Sequence, residues 1–381
     1  MSNNSKFSEF LKTNEKKVLF FFIVLLFLIL DFSFSLIANS FNLSLFCKNR
    51  LLESVSSKHP VFHHGFLPNA SGKGYGCEKV FTNSIGFKDK EINEITKIND
   101  NQRILFIGDS FTEGVGLNYE TTFVGIIDEA YSKHNIDILN AGRSSYSPII
   151  YWRKIKFLIE DENLKFDKLF VFLDISDPFD ELRYDLDKTL NVVDVTFEEK
   201  NEAEKENIKN LNVYLKKLIK KNFIISFYIL NFFHDLLVNF KYDQKEWYIS
   251  TNLPYERWTV NDDLFNEYGS QGLKKMEKYM DKLYNLSIKY NFEINVAVYP
   301  RPTQVWEGDL NSIQVEYWQN WASKRNINFI NYFPDFVKIN QSKKEKYKIL
   351  KTYYLLGDPH FNMEGNQIIA KRIDENLENL F

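Results

Sequence analysis

The stretch Arg103 to Gly116, RILFIGDSFTEGVG, decides the fold. Its four apolar residues, Ile104 to Ile107, read as a buried strand, and Gly108 ends the run where the backbone can turn sharply. Ser110 then stands at the C-terminal end of a strand, which is where open α/β sheets gather their chemistry. At the first turn of the following helix, nearby backbone N–H groups and the positive end of the helix dipole favour an oxyanion. The same residues also satisfy a plainer reading, in which Asp109 or Ser110 only caps that helix.

A serine becomes a usable nucleophile when an imidazole takes its proton and a carboxylate fixes the tautomer of that imidazole. Gly357 to Gly365, GDPHFNMEG, offers both groups, with Asp358 and His360 on either side of a proline that stiffens the turn. Here the plainer reading is a surface turn before the last helix, capped by Asn362.

GDSF at 108–111, NAG at 140–142 and DPHFNMEG at 358–365 resemble, in order and in spread, the first, second and last motif blocks of the SGNH (GDSL-type) hydrolases. The resemblance implies Ser110 as nucleophile, the backbone N–H groups of Ser110 and Gly142 as oxyanion donors, His360 as general base and Asp358 as the partner that orients it. It also implies a Gly-x-Asn-Asp block after the third strand. There the chain reads FLDISDP from Phe172 to Pro178, so Ser176 takes the place of the asparagine and Asp177 follows it; Asp109 and Asp177 are the expected supporting carboxylates. A hydroxyl donates with a shorter reach than a carboxamide. Losing one good oxyanion donor costs about a hundredfold or more in rate.

Val18 to Leu30, VLFFFIVLLFLIL, is unbroken apolar sequence, and with Asp31 inside it the apolar character reaches Ala38. At about 1.5 Å per residue this stretch can cross a hydrocarbon core of about 30 Å. Lys6, Lys12, Lys16 and Lys17 precede it and few charges follow, which places residues 1–17 in the cytoplasm and the bulk of the chain outside. The expectation is a single-pass signal anchor over 18–40 in a bacterial-type inner membrane, with the catalytic domain on the periplasmic side. A cleaved signal peptide ending near Ala38-Asn39-Ser40 is the alternative.

Residues 41–100 read as an extended lead-in with turns, since Gly65, Gly72, Gly74, Gly76 and Gly86 fall there. Cys47 and Cys77 are the only cysteines, both on the exported side, where a disulfide could persist. His59, His63 and His64 have no carboxylate or cysteine at ligand spacing beside them and read as surface histidines rather than a metal site.

From Gln102 onward, short apolar strands at 103–107, 136–139, 168–173, 293–299 and 328–331 alternate with helices near 119–133, 149–160, 273–291, 314–325 and 362–379. That rhythm predicts an α/β fold over 101–381, a three-layer, doubly wound parallel sheet with right-handed crossovers, flavodoxin-like as in the SGNH family. Residues 182–290 break the rhythm and read as a helical insertion or cap. Within it, Phe223 to Phe240 is an apolar helix, and Asn231, His234 and Asp235 near its middle weigh against a second membrane span and favour a buried or interfacial helix. Arg301 and Gln304 follow a strand end, there to touch substrate or to pin the loop.

A formal charge of −3 and an isoelectric point near 6.2, with no Lys/Arg cluster interleaved with aromatics, leave no groove for nucleic acid. Aromatics make up 16% of the chain, which suits a thick core and a carbohydrate-stacking surface. The expected function is a serine esterase or O-acyltransferase working through acyl-Ser110 on ester-linked acyl groups, chiefly acetyl, of envelope glycans, without metal or organic cofactor. The rival is a glycan-binding or assembly protein that kept the SGNH fold while its oxyanion hole decayed.

Overall fold

The strand at the heart of the opening stretch, Gln102–Gly108, lies in the middle of an eight-stranded sheet. A computed structural model describes residues 13–40, 55–74, 78–98, 100–195, 218–219, 221–241 and 252–377. Cys47 and Cys77, and so their pairing, lie outside them. In chain order the sheet strands are β1 (Ser71–Lys73), β2 (Lys79–Thr82), β3 (Lys88–Asp89), β4 (Gln102–Gly108), β5 (Ile136–Asn140), β6 (Lys168–Leu173), β7 (Glu293–Val298) and β8 (Asn328–Asn331).

Across the sheet the order is β8-β7-β6-β4-β5-β3-β2-β1. The five strands β4 to β8 are parallel, and β4 through β7 have almost no exposed positions. Strands covered by helices on both faces must be apolar throughout, which is why RILFIG and KLFVFL carry no alternation. Counted from β4, the parallel order is 2-1-3-4-5, the doubly wound arrangement whose direction reverses between β4 and β6. Crevices form at that switch point, beyond the C-terminal ends of the strands.

The lead-in differs from its expected extended form. Residues 71–89 fold into β1, β2 and β3, which pair antiparallel with one another and, through Lys88 opposite Asn140, with β5. Among them Gly86 turns at φ 73° where a Cβ would stand 2.6 Å from the Phe66 carbonyl, in a small antiparallel extension of the sheet. The flanking helices are α1 (Ser110–Glu113), α2 (Phe123–Tyr131), α3 (Pro148–Glu160), α4 (Asp177–Arg183), α5 (Ser270–Tyr290), α6 (Pro302–Glu307) and α7 (Met363–Leu377), with others between α6 and α7.

The chain forms two compact units, Met1–Phe46 with Lys200–Asp243, and Cys47–Glu199 with Gln244–Phe381. The insertion is therefore narrower than the expected 182–290. Helix α5 belongs to the sheet domain: Leu273, Met276, Tyr279, Met280 and Leu283 are buried in its core, and Gly272 packs against Pro178 at a distance no side chain would allow. In the other unit, Glu15–Ala38 is long and apolar enough to cross a membrane, and Ile224–Lys241 is a second helix.

Candidate active site

Gly108 ends β4 where a Cβ would stand 2.2 Å from the Thr112 hydroxyl and 3.0 Å from the Phe172 carbonyl, so only glycine lets the chain turn into α1 there. Asp109 takes the capping position of α1, its carboxylate accepting the Phe111 N–H at 3.2 Å. That leaves the Ser110 hydroxyl to a cavity of about 660 Å³ at the C-terminal end of the sheet.

The loop before α7 brings the second motif to the same cavity. The Leu355 N–H donates to the His360 carbonyl at 2.9 Å, the Asp358 N–H donates to the Leu355 carbonyl at 3.1 Å, and Asn362 accepts the Gly365 N–H at 3.0 Å as the expected cap. In this loop His360 Nδ1 bonds Asp358 Oδ1, and His360 Nε2 lies 2.7 Å from Ser110 Oγ, across 250 positions of sequence. The Phe111 ring, 4.9 Å from the imidazole, backs it. Burial pushes the Asp358 carboxyl up, but the hydrogen bond and charge of His360 outweigh it and hold the group below the usual carboxylate range.

Beside Ser110 lies a buried charge network. The Arg301 guanidinium meets Asp174 at 2.6 Å and Glu256 at 2.6 Å, stands 3.6 Å from Asp109, and donates to the Ser176 hydroxyl at 3.0 Å. Arg301 both lines the cavity and holds its own loop, its backbone N–H donating to Gln304 Oε1 at 3.2 Å at the start of α6. Burial raises Asp174, yet Arg301 outweighs it and keeps that carboxylate low. Burial and the Asp174 charge raise Asp109 to about 7, and burial with both neighbouring carboxylates raises Asp177 well above its ordinary value. Asp177 is held by the Tyr151 hydroxyl at 3.0 Å and the Asp174 N–H at 3.1 Å. Asp109, Asp174 and Asp177 place carboxylate oxygens within 4.8 Å of one another, and Arg301 supplies the positive charge beside them.

Two expected oxyanion donors are differently engaged. The Gly142 N–H donates to its neighbour Asn140 at 3.0 Å, and Gly142 does not line the cavity. Its glycine serves packing, because a Cβ there would stand 2.7 Å from Thr112. The Ser176 hydroxyl, which accepts from Arg301, has its own proton directed at Asp174 Oδ1, 2.8 Å away, or Asp109 Oδ2, 3.3 Å away. Ser145, which sequence reasoning passed over, lines the cavity instead. It adopts φ 62°, an uncommon conformation for a residue with a side chain, and among the described residues its N–H, like that of Ser110, has no partner.

The loop carrying Ser145 is braced from α1. Glu113 Oε2 accepts from Arg143 at 2.7 Å, from the Ser144 N–H at 2.7 Å and from the Ser144 hydroxyl at 2.6 Å. His64 also holds this loop, its Nε2 donating to the Ser144 carbonyl at 2.9 Å, and burial lowers that imidazole to about 4. The three lead-in histidines are partly buried, and His59 stacks on Phe62 at 3.6 Å. At the mouth, Phe179 and Tyr255 place their ring centroids 6.0 Å apart.

No protein-family model and no curated protein matches the sequence. Among solved structures, the chain is similar to an acetyl xylan esterase, AlAXEase, at 12% identity over 72% of this chain and 99% of that one, TM-score 0.39. It is similar to the psychrotrophic esterase EstA from Pseudoalteromonas sp. at 12% identity over 74% and 98% of the two chains, TM-score 0.36. A catalytic mutant of Axe2, an acetylxylan esterase from Geobacillus stearothermophilus, matches at 14% identity over 73% and 94%, TM-score 0.35. On its own geometry, in the order of its motifs, the order of its parallel strands and the convergence of Ser110, His360 and Asp358, the chain resembles the SGNH (GDSL-type) hydrolases.

Proposed function

We propose that the protein is a membrane-anchored serine esterase acting on acyl groups, chiefly acetyl, of envelope carbohydrate. The observation that carries this reading is the hydrogen-bonded chain from Ser110 Oγ to His360 Nε2, at 2.7 Å, and from His360 Nδ1 to Asp358. Asp358 fixes the tautomer with Nδ1 protonated, which leaves Nε2 to accept the serine proton. Ser110 Oγ attacks the ester carbonyl as its proton passes to His360, and the tetrahedral oxyanion meets the N–H groups of Ser110 and Ser145. The imidazolium then returns the proton to the leaving alcohol, and the acyl-Ser110 bond is broken by water activated in the same way. An acyltransferase would place a sugar hydroxyl where that water stands.

A sugar ring finds apolar faces at Phe179 and Tyr255, and Phe179 is 44% exposed. The anchor reading rests on the length and apolar character of Glu15–Ala38, and the lysines before it favour an outward-facing domain. The rival, a non-catalytic glycan-binding protein, draws on the engagement of Ser176 by carboxylates. A fluorophosphonate probe separates the two. Stoichiometric labelling of Ser110 that is lost in His360→Ala supports the esterase, and no labelling under conditions that modify a control esterase supports the binder.

A further inference from the structure

The anchor helix Glu15–Ser40 carries two polar residues that its apolar sequence does not explain, Asp31 and Ser35, and both are almost wholly buried. They are buried by the second helix, Ile224–Lys241, whose first amides they bind. Asp31 Oδ1 accepts the Ile225 N–H at 2.9 Å, Asp31 Oδ2 the Ser226 N–H at 2.8 Å, and Ser35 Oγ the Ile224 N–H at 2.9 Å. A helix leaves its first N–H groups without internal partners, and in hydrocarbon each such group is costly. An ionised aspartate in a membrane span is costly too. Each need meets the other here, so Asp31 acts as the N-cap of another helix.

Beyond that junction the second helix keeps an open apolar face. Ile229, Leu230, Phe232, Phe233, Leu236 and Leu237 are all exposed and recur at helical spacing, whereas Phe227, Tyr228 and Asn231 on the other side are half-buried. The sheet fixes what this face can do. Strand β6, before the helix in sequence, pairs in parallel with β7, after it, so the chain enters and leaves the helix on one side of any membrane. A single crossing by Ile224–Lys241 is topologically excluded. Depth agrees with a surface position: Asp31 stands about 10 Å short of the end of the apolar span at Ala38, and amphipathic helices at bilayer surfaces sink about 5–10 Å.

We propose that Ile224–Lys241 lies along the surface of the bilayer that the anchor spans, with its Ile229–Leu237 face among the acyl chains and its N-terminus locked to Asp31. This rests on the anchor reading above. The anchor and this helix then hold the protein to the membrane at two lines rather than one.

The test uses the full chain, in phosphatidylethanolamine/phosphatidylglycerol vesicles and in native membranes, with a lipid-soluble aryl diazirine mapped by peptide mass spectrometry. Label on both 18–30 and 229–237 in both settings is the expected result. Label confined to 18–30 overturns the inference and leaves the anchor standing, whereas no label on 18–30 removes the anchor reading itself. Label on 229–237 in vesicles but protection in native membranes assigns the face to a membrane protein and also overturns the inference. With Asp31→Leu, loss of the cap should cut label on 229–237 by about fivefold while 18–30 keeps its own; undiminished label there refutes the Asp31 lock.

Discussion

On one wall of the cavity Ser110, His360 and Asp358 hold their polar atoms in a line that ends in open space, and the Asp358 side chain is 44% exposed. On another wall Arg301, with Asp174 and Glu256 behind it, turns its charge inward, and these side chains are 4% exposed or less. The first wall spends its hydrogen bonds on a proton path, and the second on holding strand ends together. Substitutions on the two walls should therefore separate rate from stability.

The largest effect belongs to the proton path. Ser110→Ala should lower hydrolysis of a short-chain aryl ester by at least about 10⁴-fold with an unchanged melting temperature, because removing a triad nucleophile leaves only binding and oxyanion contributions. A loss of less than tenfold would dissolve the contrast by showing that the line from Asp358 to Ser110 carries no chemistry. Arg301→Ala should invert the pattern. It leaves Asp174 and Glu256 buried without a counter-charge, a situation that costs about 3–5 kcal/mol. Thermal denaturation should show a large fall or no soluble fold, and an unchanged melting temperature would show that the network is not structural.

A third change reads the electrostatics behind the second wall. Glu181 on α4 is buried, accepts the Ile149 N–H at 3.0 Å, and is raised by burial to about 7. Its folded-state pKa lies above its unfolded one, so the native chain holds a proton that the unfolded chain releases. Stability is complete below about pH 4.5 and is lost as pH rises towards 7. Glu181→Gln removes that slope: its melting temperature should match the parent at pH 4.5 and exceed it by several degrees at pH 8, the difference levelling off above about 7. Parallel curves for the two proteins would show that Glu181 is ionised in the fold.

The two walls also differ in how far they could be read from sequence. Ser110, Asp358 and His360 sit in short local motifs after a strand or before a helix, where glycine and proline punctuation is visible in one dimension. The parallel sheet was legible too, since β4 and β6 carry the unbroken apolar runs Ile104 to Ile107 and Leu169 to Leu173. Arg301, Asp174, Glu256 and Ser176 come from three separated segments; Ser176 and Arg301 could be picked out one by one, but nothing in one dimension pairs them with each other or with Glu256. Gly142 misled because its glycine answers to Thr112 packing. Ser145 escaped because a positive φ on serine leaves no mark in composition.

The smallest predicted effect is the one that sharpens the comparison most. If Ser176 belonged to the first wall, replacing it would remove an oxyanion donor and cost about a hundredfold or more in kcat. Its hydroxyl instead accepts from Arg301 at 3.0 Å and spends its proton on Asp174, 2.8 Å away, or Asp109. Ser176→Ala then removes one link in a network that keeps its Arg301–Asp174 and Arg301–Glu256 contacts, and kcat should fall by less than about tenfold, because the lost hydrogen bonds join charged groups of the network and not the reacting ester. The measurement is kcat and KM on one aryl acetate for both proteins. A hundredfold drop in kcat at constant KM would move Ser176 to the wall where hydrogen bonds are kept for the transition state, and would take from Ser145 the donor role that its open N–H supports.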